Sequence, residues 1–458
     1  MKIGPGDGRM QSSADNYDLI ASGPISGRQI LLLVMGSLVL FTDGFAQSQV
    51  NVVAPAIIRE WHLQKADMAP VFAANVYGLM LGSLLIAPLA DIFSRRLITL
   101  ACVIGFGLFS LFPPFVTAVP QLEMIRFLHG LALGAAMPCI IAAVSDYLPR
   151  PGRTQLAVVL TSAYAFGVAA VGIVAGVTLE TCGWRFIFWA GGLLPLILTP
   201  LLLIALPESP AYLSARGQQE KLRGILKQMA PQFVYTATPE GQTGKRAHPL
   251  TGVAQLFTKG RASMTLLIWL VYFSTGASLY FLQQWLPILT RSAGFSEAQS
   301  AISNSYFQIG GLVGGFIIGF LTGKGGVYTF VCSYSLAAVA IAVAGLGAQS
   351  LSFLWLMAGV TGLLVVGGQN ALNVFVGGTL YPSQIRSSGL GLALTFTRLG
   401  GAVLGSTFAG FIVRLNLGPQ KTFATFAAPE VITALALLVL ALSRRSHVPP
   451  KAAVLAAG

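Results

Sequence analysis

Apolar stretches long enough to cross a lipid bilayer recur along the whole chain. A transmembrane helix needs about 20 predominantly apolar residues. Twelve stretches meet this requirement. They run over 28–56, 68–90, 97–117, 121–147, 154–179, 184–206, 263–290, 298–321, 326–347, 351–378, 386–414 and 422–443. The pattern predicts an all-α polytopic membrane protein with twelve transmembrane helices.

Polar segments divide this series and mark the domain boundaries. One long polar segment, 207–262, separates the first six stretches from the last six. We therefore expect an N-terminal six-helix half at 28–206 and a C-terminal six-helix half at 263–443, with polar tails at 1–27 and 444–458. The first tail lacks the apolar run of a cleavable signal peptide, so the first helix is expected to direct membrane targeting.

Composition supports this prediction, because only 9% of the 458 residues are charged and 55% are hydrophobic. A soluble chain carries about 25% charged residues. In a soluble protein the net charge of +13 would suggest nucleic acid. Here, 20 of the 28 Lys and Arg residues fall on the side of the predicted bundle that holds both tails and the long segment. The positive-inside rule places that side, with both termini, in the cytoplasm. We expect a lipid bilayer around the protein and no nucleic-acid partner.

The two halves contain an internal repeat. Shifting the first half by 233 residues aligns identical residues without a gap. The aligned pairs are Gly78 and Gly311, Gly82 and Gly315, Gly134 and Gly367, Pro149 and Pro382, Arg153 and Arg386, Gly167 and Gly400, and Gly172 and Gly405. Parallel repeats of six helices are typical of transporters that rock around a site at mid-membrane. The sequence thus predicts two pseudo-symmetric halves with a site between them.

Three charged residues within the predicted helices do not follow the repeat. Asp43, Arg126 and Arg398 all fall opposite uncharged residues of the other half. A charge at the centre of a membrane helix costs about 2.5–3.5 kcal/mol on insertion scales, unless it faces a cavity or a partner. We therefore expect these three residues to serve a ligand or an ion.

Several motifs resemble those of the major facilitator superfamily. The loop after the second helix reads APLADIFSRR over 87–96, and the fourth helix contains R-x-x-x-G-x-x-x-G from Arg126 to Gly134. Three further pieces resemble the aromatic acid:proton symporters within that superfamily: DGF at 43–45, YFLQQWLP at 280–287, and YPSQIRSSGLG at 381–391 followed by TRLG at 397–400. The family's first helix carries a second acidic residue where this chain has Ala46.

This resemblance implies a major facilitator fold and a function. A member of the aromatic acid family would import a benzoate-like carboxylate together with protons across a bacterial inner membrane, by alternating access and as a monomer. Its partners would be a small organic acid and a proton, without cofactor or metal. The import direction rests on the resemblance alone.

The polar residues of the first and fourth helices suggest how protons are coupled. Counting about 1.5 Å per residue from Arg28 places Asp43 in the outer half of the membrane, level with Arg126. We predict that Asp43 and Arg126 pair and that a proton on Asp43 releases Arg126 for a substrate carboxylate. The alternative is a static ion pair between two helices. His129, one turn from Arg126, either relays protons or is a hydrogen-bonded residue of the cavity wall.

Other buried polar residues are candidates for the substrate site. Arg398, near the middle of the eleventh helix, offers a guanidinium fork that binds carboxylates. Its alternative partners are a helix carbonyl or Glu430. Aromatic and amide side chains suit a hydroxylated ring through stacking and hydrogen bonds. With Arg126 and Arg398, the candidate substrate residues are Gln47, Tyr164, Tyr280, Gln283, Trp285, Gln369 and Asn373.

Charged residues on the cytoplasmic side are candidates for a gate. We predict that Asp91 caps the positive end of the eleventh helix and pairs with Arg386. Arg95, Arg96 and Arg153 complete the candidate gate. The alternative for Arg95 and Arg96 is that they only set the topology.

Three other classes of function remain open. One is a proton-coupled transporter of a sugar, a non-aromatic acid or an exported drug. A second is an intramembrane enzyme, which is disfavoured because His129 is the only one of four histidines within a predicted helix. The third is a sensor that keeps the fold without transport, and a coupling acid such as Asp43 argues against it.

Overall fold

The structure is a computed structural model that describes residues 25–148, 153–229, 255–258, 261–347, 349–381 and 386–445. Within them, twelve helices are long and apolar enough to cross a membrane. The helices α1 to α12 are Gly27–Glu60, Lys65–Ile86, Arg95–Phe115, Val119–Ser145, Val158–Cys182, Trp184–Ala205, Ala262–Ser292, Glu297–Gly325, Val327–Leu346, Leu351–Leu380, Ser388–Arg414 and Gly418–Ser443. The predicted all-α class and the number of membrane helices are confirmed.

Glycines allow close helix packing at equivalent places in the two halves. An alanine at Gly78 of α2 would place its Cβ 2.3 Å from the carbonyl oxygen of Phe127 in α4. At Gly311, the repeat partner in α8, the Cβ would lie 2.5 Å from the Val366 side chain of α10. The aligned glycines therefore mark the same interhelical contact in each half, as expected for helices whose backbones approach closely.

The two halves meet at the end of the bundle where α1 finishes, which we call the far end. There, Arg59 of α1 forms an ion pair with Glu297 of α8 at 2.8 Å. Nearer the centre, the Ser305 hydroxyl of α8 donates to the Ala169 carbonyl of α5 at 2.6 Å. The opposite end, where α1 begins and α6 finishes, is the loop end. Among the described residues, the side-chain hydrogen bonds and ion pairs between the halves lie at mid-height or at the far end.

Burial along α1 shows the same asymmetry. The helix is buried almost continuously from residue 39 to residue 57, whereas Leu31 and Val34 near the loop end are half exposed. The halves are thus closed at the far end.

Part of the central polar segment is helical. The helix Gln219–Met229, which we call the loop helix, lies in this segment, and its Leu222 and Leu226 pack on Leu213. The side chains of Asp91, Arg153 and Arg386 lie outside the described part of the structure, as do residues 230–254 and most of both tails. The predicted Asp91–Arg386 contact therefore stays a prediction.

Candidate transport site

A polar cluster joins the two halves at mid-height. Arg398 of α11 donates from Nη1 to the Leu79 carbonyl oxygen of α2 at 3.2 Å and to the hydroxyl of Ser83. Tyr280 of α7 lies within hydrogen-bonding reach of the same guanidinium. The charge of Arg398 also acts on the carboxylate of Asp43 in α1. Arg398, whose backbone belongs to the C-terminal half, thus forms hydrogen bonds to the N-terminal half.

Close helix contacts hold the members of this cluster in place. An alanine at Gly44, next to Asp43, would place its Cβ 2.1 Å from the backbone oxygen of Tyr164 in α5. An alanine at Gly276 of α7 would likewise place its Cβ 2.1 Å from the backbone oxygen of Thr397, next to Arg398. Small residues therefore bring both charged residues to the interface. Tyr164 interacts electrostatically with Asp43, Tyr280 and Arg398, so it completes the cluster.

The backbone around the Arg398 contact is irregular. A π-helical turn, Gly82–Ile86, contains Ser83. A second π-helical segment, Gly401–Phe408, begins three residues after Arg398. Such segments are rare and occur frequently at functional sites. Sequence reasoning missed both of them, and their only signal was the glycine that begins each segment.

The predicted pairing of Asp43 with Arg126 is wrong for this structure. Arg126 donates from Nη2 to the backbone oxygen of Gln47 at 3.3 Å, one turn beyond Asp43 towards the far end. The cause is the length of α1, whose 34 residues span about 51 Å. Asp43 therefore lies at the middle of its helix, level with Arg398, whereas Arg126 lies in the outer third of α4.

Arg126 is nevertheless placed to hold an anion. Its side chain is fully buried, and its Nε and Nη1 atoms have no hydrogen-bond partner among the described residues. A buried guanidinium with unused donors is costly, and a carboxylate that accepts from both donors would offset the cost. The position is closed in this conformation, so an anion reaches it only after the halves rearrange.

His129 belongs to a chain of buried polar side chains that links α1, α2, α3 and α4. Its Nε2 lies 3.1 Å from the Ser110 hydroxyl, which donates to Oε1 of Gln49 at 3.3 Å. Its Nδ1 lies 3.3 Å from Asn75 Oδ1, and Asn75 donates to Gln47 Oε1 at 3.3 Å. Sequence reasoning missed Asn75, Ser110 and Gln49. Their only signal was a polar side chain in an apolar helix.

Two of the predicted substrate residues instead hold the halves together. Trp285 is fully buried, donates from Nε1 to the Gly405 oxygen at 3.1 Å, and packs edge-on against Phe72 of α2 at 5.4 Å. Gln283 donates to the Ser48 hydroxyl of α1 at 3.2 Å. Trp285 therefore lines no cavity in this conformation, because its helix face is turned towards the neighbouring half.

The remaining candidates keep the expected arrangement. Gln369 and Asn373 share one face of α10, where Gln369 Nε2 donates to Asn373 Oδ1 at 3.0 Å. The Oε1 atom of Gln369 is buried without a partner in the described part of the chain.

The alternative pairing of Arg398 with Glu430 is wrong, because Glu430 lies inside the C-terminal half beside Tyr334. The other alternative partner of Arg398, a helix carbonyl, is present, because Arg398 donates to the carbonyl oxygen of Leu79.

Two of the candidate gate residues, Arg95 and Arg96, bind partners within the N-terminal half. Arg95 forms an ion pair with Asp146 at the end of α4, at 2.7 Å. Arg96 donates from Nη2 to the Leu203 oxygen of α6 at 2.6 Å. In this conformation both arginines therefore stabilise the loop end of one half.

Comparison with known families identifies the chain. The sequence model of the Major Facilitator Superfamily matches residues 36–376 and again residues 268–457. The chain belongs to the Major Facilitator Superfamily. This is a family of transporters, so the prediction of a transporter rather than an enzyme is confirmed. The second match covers the C-terminal half alone, which is consistent with a repeat of similar halves.

Relatives align with nearly the whole chain. It is 34% identical to the gallate transporter of Pseudomonas putida over 430 residues, which is 93% of this chain and 94% of that protein. It is 32% identical to the 4-hydroxybenzoate transporter PcaK of Pseudomonas aeruginosa, over 93% of this chain and 95% of the relative. It is 33% identical to the 3-(3-hydroxy-phenyl)propionate transporter of Escherichia coli, over 93% and 98%. These relatives confirm the predicted resemblance to aromatic acid transporters.

Solved structures confirm the fold. A bacterial homologue of the lysosomal transporter Spinster, solved in an inward-facing and unoccupied conformation, superposes with a TM-score of 0.69 at 18% identity, over 91% of this chain and 96% of that one. The nucleoside transporter NupG superposes with a TM-score of 0.67 at 17% identity, over 90% of this chain and 99% of that one. The predicted major facilitator fold is confirmed.

Proposed function

We propose that the protein imports an aromatic carboxylate together with a proton across a bacterial inner membrane, with both termini in the cytoplasm. The observation that carries the proposal is the cluster of Asp43, Arg398, Tyr164 and Tyr280, which lies between the halves of a chain whose relatives are named as aromatic acid transporters. An anion, a cation and two phenol rings match what a hydroxybenzoate and its proton require.

Arg398 is proposed to bind the substrate carboxylate. Its fork binds carboxylates through two parallel hydrogen bonds. It is half-buried and lies between the two halves, where it contacts Leu79 and Ser83. Tyr164 and Tyr280 flank it, also half-buried, and supply ring faces and hydroxyls for an aromatic substrate. Gln47, Gln369 and Asn373 are proposed to bind ring substituents.

Coupling follows from competition for one cation. When Asp43 is charged it interacts with Arg398, and a second carboxylate at the same guanidinium is repelled. A proton on Asp43 removes this competition and releases Arg398 for the substrate. Binding of substrate and binding of proton then favour each other to the same extent, as linkage requires. This scheme replaces Arg126 with Arg398 as the partner of Asp43 and retains the proposed role of Asp43.

Arg126 and His129 are proposed to act on the outer route to the site. Both lie on α4 between the cluster and the far end, within the hydrogen-bonded chain that contains Asn75 and Ser110. The free donors of Arg126 offer an incoming carboxylate its first contact when the halves open outwards. Within this hydrogen-bonded network, His129 is proposed to relay protons through its imidazole ring.

Alternating access would exchange the contacts of the far end for contacts at the loop end. The Arg59–Glu297 pair and the Ser305–Ala169 bond close the far end. Asp91, Arg386, Arg95, Arg96 and Arg153 are proposed to close the loop end in the opposite conformation. One carboxylate that enters with one proton moves no net charge, so the proton concentration gradient drives this cycle inwards; each further proton would gain about 2.3 kcal/mol per 100 mV of membrane potential.

The test is uptake of labelled aromatic acids by cells that express the protein. We expect uptake of 4-hydroxybenzoate, gallate or a close analogue, and its loss when a protonophore is added. Arg398→Gln should abolish uptake, whereas Gly319→Ala, at a position with open space around it, should not change it. If the protonophore left the uptake of all transported acids unchanged, proton coupling would be overturned. Transport of sugars or cations without any aromatic acid would overturn the substrate class.

A further inference from the structure

A basic pocket lies at the loop end of the N-terminal half, away from the transport site. It has a volume of about 650 Å³ and is formed by the start of α1, the end of α6 and the loop helix Gln219–Met229. Arg28, Arg96 and Lys221 line it, against one carboxylate, Glu208. The pocket therefore carries a net charge of +2 in side chains. Of its charged residues, only Arg96 has a part in the proposed transport cycle, as a gate residue.

The cations of the pocket are not neutralised by acidic side chains within the described residues. Arg28 donates to the side-chain oxygen of Gln228, and Arg96 donates to the Leu203 backbone oxygen at 2.6 Å. Both partners are neutral. Glu208 already accepts a hydrogen bond from the Ser94 hydroxyl. The three positive charges thus face a single carboxylate in the described structure, and an anion of the surroundings would balance the remaining charge.

An exposed apolar strip leads directly from this pocket along the membrane surface of α1 and α6. Leu31 and Ile204 line the pocket and are 49% and 86% exposed. Val34, one turn above Leu31, is 46% exposed, and Leu201 on α6 is 51% exposed. The basic pocket and the apolar strip together match a molecule with an anionic head and an apolar tail.

The geometry points to a binding site for an anionic phospholipid. We propose that the lipid phosphate lies among Arg28, Arg96 and Lys221, while its acyl chains follow the strip on α1 and α6. The pocket lies where two membrane helices begin and end, which is the depth of lipid headgroups. Basic pockets of this kind on the cytoplasmic side bind anionic headgroups. A free phosphate ion would use the cations but leave the strip without a role.

The loop helix gives this site a consequence. Its Leu222 and Leu226 are buried against Leu213, and its polar face carries Lys221 into the pocket. A bound headgroup would bridge Lys221 and Arg28 and so fasten the start of the central segment to the N-terminal half. Anionic lipid is therefore expected to stabilise the protein as well as to bind it.

The experiment is native mass spectrometry of the full-length protein in detergent, titrated with phosphatidylglycerol or with phosphatidylcholine of the same chains. We expect phosphatidylglycerol to bind more tightly. The double variant Arg28→Gln/Lys221→Gln should weaken its binding roughly 25-fold, about fivefold for each cation removed. The matched control is Arg223→Gln/Lys227→Gln, which removes the same charge from the exposed side of the loop helix outside the pocket.

Each other outcome counts against the site. Equal weakening in both double variants would show diffuse attraction to the protein's net charge. Equal affinity for the two lipids would remove the role of the headgroup charge. Displacement of phosphatidylglycerol by an equal concentration of glycerol phosphate, which has the head but no tail, would show a site for free phosphate. Because lipid binding is measured without transport, the result is independent of the proposed substrate.

Discussion

The closed far end predicts a specific effect of adding one methyl group. Gly172 of α5 faces α8 across the boundary between the halves. A Cβ at this position would lie 2.3 Å from the Ser305 hydroxyl oxygen and 2.7 Å from the Ala301 backbone oxygen. Both distances are far below van der Waals contact of about 3.5 Å. In Gly172→Ala the two helices must therefore separate, and the Ser305–Ala169 hydrogen bond is strained or lost.

The magnitude follows from the cost of overpacking. Extra methylene groups in a well-packed interior cost about 1–3 kcal/mol. If the rocking scheme is correct, this cost applies only to the conformation in which α5 and α8 touch. The equilibrium should then shift towards opening at the far end by a factor of about 5–150, which is the same free energy expressed as a ratio.

Thiol labelling measures this shift. Ser48 is fully buried beneath Gln283 at the far end, so Ser48→Cys reports opening when the four native cysteines have been replaced. We expect a membrane-impermeant maleimide, added from outside the cell, to react at least fivefold faster in the Gly172→Ala background.

Two glycines serve as controls. Gly319→Ala meets open space and should leave the labelling rate unchanged. Gly192→Ala clashes within the N-terminal half, 2.8 Å from the Gly107 oxygen, and should lower stability without faster labelling. An unchanged rate in Gly172→Ala, or an equal increase in Gly192→Ala, would refute the assignment of α5 and α8 as a moving contact.

Three further changes test individual side chains. Arg398→Lys keeps the charge but loses the planar fork, so the KM for a carboxylate substrate should rise more than tenfold in uptake assays. An unchanged KM would count against carboxylate binding at Arg398. His129→Leu removes one hydrogen bond each from Ser110 and Asn75, at about 0.5–1.5 kcal/mol per bond, so its melting temperature should fall below that of His129→Gln. Equal melting temperatures would show that these hydrogen bonds do not stabilise the protein. Glu430 is fully buried without an ion pair in the described part of the chain and should be neutral. Glu430→Gln should therefore transport normally. Loss of coupling in that variant would make Glu430 a second proton site.

The sequence was sufficient to predict the architecture. Hydrophobic length alone located the twelve helices, because a bilayer of fixed thickness demands about 20 apolar residues from each. The glycine repeat identified the close contacts of both halves, since Gly78 and Gly311 meet equivalent neighbours. Two of the three side chains that interrupt the repeat, Asp43 and Arg398, interact electrostatically between the halves.

Pairings within the site could not be read in the same way. Counting from Arg28 assumed that α1 fits the membrane thickness, but the helix is 34 residues long and Asp43 lies at its centre. Which residue Asp43 faces depends on the tilt and rotation of helices, and these are set by packing rather than by spacing. Trp285 was misplaced for the same reason, because an aromatic side chain suits a ligand site and a helix interface equally well.

The central claim is that charged Asp43 and the substrate compete for Arg398, and that a proton on Asp43 removes this competition. The most direct test is transport of labelled 4-hydroxybenzoate, or of the acid that uptake identifies, in proteoliposomes containing Asp43→Asn. The asparagine is neutral, so it mimics the protonated acid and leaves Arg398 free. We predict that this variant still exchanges internal for external substrate but no longer accumulates it when a proton gradient is imposed. Accumulation at the level of the unaltered protein would contradict the account, as would loss of both exchange and accumulation in a correctly folded variant.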